Sequence, residues 1–554
     1  MTLFYRWLLC WLLLSPSSSA IAADELPLGP MPISLKHLPV PEVPGLLDGP
    51  DPIVVDKTAA IALGKALFWD ANVGSDGMAC ASCHFHAGAD RRIKNQMAPS
   101  GQSGPIDQDF SGFAANRTLG IDDFPLHRRQ DPLQELSPVV LDSDVVIGSA
   151  GTFGGEYRGV DLDDSGIEDC QRTVDEIFHV GPYGTRRVTS RNAPSVINSV
   201  FNHRNFWDGR ANHIFNGSSP WGDRDPDAGV WVMNKEGTVS KQRLHLLNAS
   251  LASLATSPPL NTNEMSCSQR SLPDIGRKLL HRRPLARQKV HWNDSVLGRW
   301  SPSRPGKLLP GLETTYEALI KKAFNRKFWS YEGAGEFGGP LKGQAYRQIE
   351  ANFAMFFGLA IQLYESTLIS DESPFDNSRR DANNVPVDLS ESELRGLTQF
   401  RLNLCSHCHL GPNFTSASVN ANAALAKARP EVFGEPGNKI STTTNVVNRI
   451  PVFARNKAML VFSDTGFAST GVAKEAADIG LGGVDVFGTP LSFSEQYFQY
   501  LAGNDTGVKD DAVRQVRACD FQAPFAINFE PPYIATSLFT VADGIRPIRA
   551  NLSA

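Results

Sequence analysis

Apolar and polar positions alternate with helical period at two places in the chain. Asp56 stands before Lys57–Asp70, where Ile61, Leu63, Ala66, Leu67 and Phe68 fall on one face, so a capped amphipathic helix is predicted there. Ser390-Glu391-Ser392-Glu393 has the form of a capping box, and Leu394, Leu397 and Phe400 follow at helical spacing. A third stretch, Ala351 to Ile369, is nearly all apolar. It contains Asn352, Gln362 and Glu365, which suits a buried helix better than a membrane span. The first residues carry one cation, Arg6, then an apolar run from Trp7 to Leu14, a Ser/Pro stretch and Ala20-Ile21-Ala22. That order predicts a secretory signal over residues 1–22, and hence an exported, periplasmic protein with no membrane span after cleavage.

Each of the two capped amphipathic helices runs into a cysteine motif. Cys80-Ala81-Ser82-Cys83-His84 follows the first and Cys405-Ser406-His407-Cys408-His409 follows the second. With eight cysteines and twelve histidines in 554 residues, about 0.0025 CxxCH matches are expected by chance. Two thiols one helical turn apart can add to the two vinyl groups of a haem, and the adjacent imidazole can reach its iron. The sequence therefore predicts two covalently bound haem c groups, on Cys80, Cys83 and His84 and on Cys405, Cys408 and His409. A zinc site or a CxxC redox pair would not need histidine at both fifth positions. Helix then CxxCH occurs twice, 325 residues apart from His84 to His409.

Composition narrows the remaining classes. Hydrophobic residues are 41% and charged residues 20%, the balance of a folded chain, and the net charge of −6 gives no footprint for nucleic acid. Cys10 leaves with the signal and four cysteines carry haem, so Cys170, Cys267 and Cys519 remain. In an oxidising compartment two of these three can pair; Cys170 with Cys267 is the first choice, leaving Cys519 free. Asp161-Leu162-Asp163-Asp164-Ser165-Gly166 has the form of half a calcium loop, but Arg172 stands where the closing glutamate belongs, so an acidic turn is the preferred reading. Arg270 to Lys307 holds ten Lys/Arg against Asp274 and Asp294, a basic run suited to haem carboxylates, an acidic partner or a solvated face.

Between the CxxCH motifs lies Arg191-Asn192-Ala193-Pro194, then Phe201-Asn202 and Phe206-Trp207-Asp208-Gly209-Arg210. With Leu63 to Phe68, Tyr364 to Leu368 and Pro374-Phe375-Asp376, this set resembles the bacterial dihaem cytochrome c peroxidase and MauG family. The resemblance implies a mainly α protein of two cytochrome c-like haem domains in tandem, here residues 23–375 with long loop-rich insertions (roughly 95–185 and 212–345) and residues 376–554. It implies that peroxide reacts at the haem of His84, that the haem of His409 takes electrons from a small donor protein such as a monohaem cytochrome c or cupredoxin, and that Trp207 assists electron passage between them. It further implies Glu264, in Asn263-Glu264-Met265, as distal acid–base, an interdomain calcium with Asn192 among its ligands, and a homodimer. The reaction implied is reduction of H2O2 to water. A MauG-like oxidase or oxygenase acting on another substrate and a dihaem carrier without catalysis are the alternatives.

Three departures from the family pattern mark this chain. Leu254 stands where the family often has a glutamine before the catalytic glutamate. After His84 there is only the too-close His86, then Met97, and no further histidine before His127, so the first haem is expected to be five-coordinate at rest. The family's C-terminal pattern, an L-R-N segment followed by an aromatic and a His-x-Gly turn, is not found before Ala554. The sixth ligand of the second haem is then expected to be Met459, with Tyr497, Tyr500 and Tyr533 as alternatives.

Overall fold

Asp56 begins the first helix as expected: its carboxylate accepts the Ala59 N–H at 2.9 Å, and α1 runs over Lys57–Trp69. A computed structural model describes residues 29–516 apart from 30, 100–109, 111, 135, 144, 162–166, 404, 429–444, 455–456 and 469–479. The predicted signal, Cys10, the core of the Asp161–Gly166 loop, Cys519 and Tyr533 lie outside the described residues.

Four further helices share the core of α1, the last two packed on α1 and the first two on the last. They are α2 (Ser250–Ala255), α3 (Leu272–Leu279), α4 (Tyr316–Ala323) and α5 (Phe353–Glu365). Every residue of α5 is buried, Gln362 and Glu365 included, which accounts for an almost wholly apolar run with no exposed polar face. α1 lies against it so closely that a Cβ on Gly64 would stand 1.9 Å from the Ala360 carbonyl oxygen, so only glycine permits this approach. Phe353, Phe356 and Phe357 fill the interior beside Leu63, Leu67 and Phe68, and truncating any one of these phenylalanines to alanine costs about 3–5 kcal/mol.

The insertions form hairpins. β1 (Glu156–Asp161) pairs antiparallel with β2 (Ile167–Gln171), and β3 (Val230–Met233) with β4 (Val239–Gln242). β5 (Lys289–Val290) pairs with β6 (Leu309–Pro310). Met97, Phe110, Phe178 and Val188 make a separate small core under the first insertion.

Beyond α5 come α6 (Glu391–Leu402), α7 (Val419–Ala428), the hairpin of β7 (Val447–Ala454) and β8 (Lys457–Asp464), and α8 (Phe493–Leu501). Ser390 and Glu393 close the expected capping box before α6. Ile33, Leu35 and Leu38 of the N-terminal segment pack with Val200, Phe201, Leu410 and Leu425, so one apolar cluster ties the two halves together.

The expectation of a mainly α chain is overturned. Among the described residues, α-helices and 3-10 turns together make up about 30%; the rest is dominated by short two-stranded pairs and irregular segments. The physical reason is compositional: 37 prolines and 47 glycines interrupt helices, and the long insertions close on themselves as hairpins and turns. The motifs that suggested helix are helix-borne but brief.

Candidate active site

The first motif lies at the end of α1, where the Cys80–Ser82 turn brings Cys80, Cys83 and His84 to one place. The His84 Nδ1 stands 2.6 Å from the Pro194 carbonyl oxygen. A carbonyl only accepts, so Nδ1 carries the proton and Nε2 presents its lone pair. His409 repeats the arrangement, with Nδ1 3.2 Å from the Phe414 carbonyl oxygen. Such a bond fixes the tautomer and plane of an iron-ligating imidazole.

The surroundings match a porphyrin's needs. All four CxxCH cysteines are free thiols. Burial pushes the Cys83 thiol up to about 11 and raises Cys80 further, an apolar setting in which a thioether is at no disadvantage. Burial also lowers the His84 imidazole, against the Pro194 bond, favouring the neutral ligand form. Phe68 lies 6.3 Å from the His84 ring and 5.5 Å from Tyr364, whose hydroxyl accepts from the Trp69 indole at 3.0 Å. At the second motif α6 has no buried residue, and Leu394, Leu397 and Phe400 are only partly covered, while Phe375 and Phe400 meet Phe414 at 5.5 and 6.1 Å. An apolar helix face left half-covered beside His409 suits a flat apolar cofactor. The residues at both motifs therefore fit haem c.

Glu264 is brought to the first motif from 180 positions along the chain. Its turn is pinned by the Asn261 side chain, which accepts from Asn263 N–H at 2.8 Å and Glu264 N–H at 3.3 Å. Gly151 passes directly beneath: a Cβ there would lie 2.0 Å from the Asn263 oxygen and 2.5 Å from the Glu264 oxygen. Cys267, three residues on, is bonded to Cys170 on β2, the pairing favoured from sequence. Burial raises the Glu264 carboxyl and Arg210 partly opposes this, and the Glu264 charge in turn raises both Cys80 and Cys83. A carboxyl held towards its protonated form thus lies close to the attachment thiols.

Trp207 is half-buried, with the Arg191 guanidinium 3.6 Å above its ring. Arg191 belongs to the segment whose Pro194 holds His84. From the C-terminal part, a Cβ at Gly480 would touch the indole at 3.7 Å, and the N–H of His203, four residues before Trp207 in the chain, donates to the Ala417 oxygen after the second motif at 2.9 Å. Trp207 accordingly contacts chain from both halves.

Other expected residues are less engaged. Asn192 is half-buried, and among the described residues no three His, Cys, Asp or Glu gather into a metal cluster. Met459 sits on β8 opposite Val452, and its side chain lies outside the described residues. Tyr497 is buried edge-on to Phe462 at 5.1 Å, whereas Tyr500 is exposed. His86 follows His84 at a positive φ of 53°.

Sequence reading missed three groups. Pro194 was noticed only as part of a motif, although its carbonyl orients His84. Arg92 donates to the Cys83 sulfur at 3.3 Å and to the Ala150 oxygen at 3.0 Å while paired with Asp90 at 2.6 Å. Glu365 is 2% exposed, has an unpartnered Oε2 and is pushed up to about 8 by burial alone, near Cys80. The signal for Glu365 was available, since it lies on a nearly all-apolar stretch read as a buried helix.

No helix among the described residues is long and apolar enough to cross a membrane. No curated protein matches the chain. Residues 165–384 match the family model described as Di-haem cytochrome c peroxidase, a stretch lying between the two CxxCH motifs and carrying RN-x-P, FWDGR and Glu264. That family implies haem c cofactors and peroxidase-type oxidoreductase chemistry. With two CxxCH histidines oriented alike on either side of the matched stretch, the chain is similar to the di-haem cytochrome c peroxidase family over residues 165–384.

Proposed function

We propose that the protein is an exported dihaem peroxidase that reduces H2O2 to two waters, taking two electrons from a small redox protein and two protons from its surroundings. The observation that carries this reading is the place of the half-buried Glu264 carboxyl, near enough to the first-motif thiols for its charge to act on both, in a turn pinned by Asn261. When bound, haem supplies a coordination position for peroxide and passage for electrons. The chain's residues do the rest. His84, its Nδ1 held by Pro194, and Cys80 with Cys83 fix the first cofactor; His409 with Cys405 and Cys408 fix the second. Glu264, protonated over a wider range than an exposed carboxyl, can hold and move a proton between the two peroxide oxygens, so that water leaves. Trp207, under Arg191, occupies the contact between segments of the two halves and suits electron passage. In this reading residues 23–375 form the peroxidatic domain and 376–554 the electron-accepting one.

A readout of H2O2-dependent oxidation of a reduced cytochrome tests the assignment. Wild-type protein is expected to turn over and Glu264→Gln to lose at least ~10²-fold in kcat. Equal rates in the two proteins would remove Glu264 from the reaction. Wild-type protein without peroxide turnover would remove the peroxidase reading.

A further inference from the structure

Arg270, first of the basic run, is 5% exposed, and all three nitrogens of its guanidinium are engaged around the Glu264 turn. Nη2 donates to the Pro259 carbonyl oxygen at 2.6 Å and to the Met265 carbonyl oxygen at 2.9 Å, and Nε donates to the Ser266 hydroxyl at 3.1 Å. One planar group thus closes both ends of the turn that carries Glu264. Nη1 donates to the Val73 carbonyl oxygen at 3.2 Å and to the Glu168 carboxylate at 3.0 Å. Val73 belongs to the segment that runs into Cys80, and that segment returns the contact: the Ser75 N–H donates to the Met265 oxygen at 2.8 Å. Arg270 therefore ties the Glu264 turn to the approach of the first motif.

Glu168, on β2 of the first insertion, holds the guanidinium from behind. Besides Arg270 it accepts from Lys278 at 2.5 Å and from the Ser75 hydroxyl at 2.8 Å. Burial opposes ionisation of Glu168, yet Arg270 and Lys278 keep its carboxyl below the usual range. A buried cluster of this kind adds little net stability over apolar packing of the same shape, because desolvation offsets the attraction. What it supplies is direction. A guanidinium presents five N–H donors in a rigid fork, whereas an ammonium is a compact point charge on a flexible stem and cannot reach acceptors at both ends of the turn and on Val73 together.

We propose that Arg270 is a positioning residue for peroxide reduction, setting where the Glu264 carboxyl stands relative to the first motif. The inference rests on the reading of Glu264 as the group that moves the peroxide proton. Arg270 touches no reacting atom and acts through the turn.

The test uses haem-loaded full-length protein as wild type, E264Q, R270M, R270K and R277M. Arg277 is the control: it lies on α3 and its hydrogen-bond partners are Glu350, Gln344 and Ala345. Three quantities are measured: kcat and KM for H2O2 with a reduced cytochrome, the rate at which HCN binds the oxidised first haem, and amide exchange of residues 261–266. Cyanide binding requires HCN to give its proton to a nearby base, so it reports the placement of that base without turnover. R270M is expected to lose at least ~10-fold in kcat with KM within about 2-fold, to bind cyanide more slowly by a similar factor, and to exchange amides 261–266 at least ~10-fold faster. R270K should recover part of each loss, and R277M should keep wild-type kcat and cyanide rate. Wild-type kcat and cyanide rate in R270M overturn the proposal, as does an equal loss in R277M; if R270M does not fold, wild-type values in R270K overturn it. E264Q separates the two ideas. Slow E264Q beside unimpaired R270M removes the role of Arg270 alone, whereas E264Q at wild-type rates removes the reading of Glu264 and the proposal with it.

Discussion

Replacing Asp510 with asparagine should weaken the joint between the FWDGR segment and the C-terminal part of the chain. The Asp510 carboxylate meets Arg204 at 2.6 Å and Arg224 at 2.5 Å, and also accepts from Gln496 at 2.7 Å and Asn212 at 2.9 Å. All three charged side chains are almost sealed from water, 1% exposed for Arg204 and 2% for Asp510 and Arg224. In the variant Arg224 keeps the Asp485 carboxylate at 2.8 Å, but Arg204 keeps only uncharged direct partners, the Leu491 carbonyl at 2.8 Å and the Phe493 ring at 3.7 Å. An uncompensated guanidinium in the interior costs about 3–5 kcal/mol, the magnitude expected for D510N at neutral pH. Burial opposes ionisation of Asp510, yet the two guanidiniums hold its carboxyl well below the usual range. A depressed pKa stabilises the fold above the unfolded carboxylate value and loses its effect as pH falls through the folded one, so wild type and D510N should converge in acid. Denaturant unfolding of haem-loaded protein, followed by tryptophan fluorescence at pH 7 and at lower pH, measures both effects. R204M/D510L, which removes charge from both sides, should recover part of the loss. A D510N cost below about 1 kcal/mol, or a double variant no better than the single, would refute the reasoning.

Gly151→Ala should disturb the Glu264 turn, because its Cβ would overlap the Asn263 and Glu264 oxygens; peroxide turnover is expected to fall at least ~10-fold with haem content retained, and an unchanged kcat would show that the turn is not pinned there. Replacing Cys170 and Cys267 with serine opens a crosslink spanning 97 positions, for which chain entropy gives about 4–5 kcal/mol of lost stability, read by denaturant midpoint. His213, pushed to about 4 by burial, stays neutral in the fold while the unfolded chain binds its proton near the ordinary 6.5. Stability should therefore decline as pH falls from 6.5 towards 4 by up to about 1.4 kcal/mol per unit from this group, and H213Q should have a shallower decline between those pH values.

Local chemistry was legible in the sequence. Asp56 and Ser390 cap their helices because an N-cap needs only a side chain and the N–H groups two or three residues ahead. The buried helix ending at Glu365 could be read from a nearly all-apolar run holding only Gln362 and Glu365 as strongly polar residues. The hairpins of the insertions were not read, since β5 and β6 are two residues each and owe their pairing to the loop between them. Glu264 was placed by motif; what it touches was not available, because Gly151 and the Cys80 pair come from distant segments.

Two CxxCH motifs by themselves determined the cofactor class and the number of attachment points, since five contiguous residues contain all the atoms that the attachment chemistry requires. The tertiary structure decided which groups act on those points. Pro194, 110 residues from His84, sets its tautomer. Glu264 acquires its raised carboxyl only from burial, and the basic run acquires an outer face only when Glu168 and Glu350 take its inner members. Orientation, burial and unpaired charge are properties of contacts between distant segments, and only the folded chain brings those contacts together.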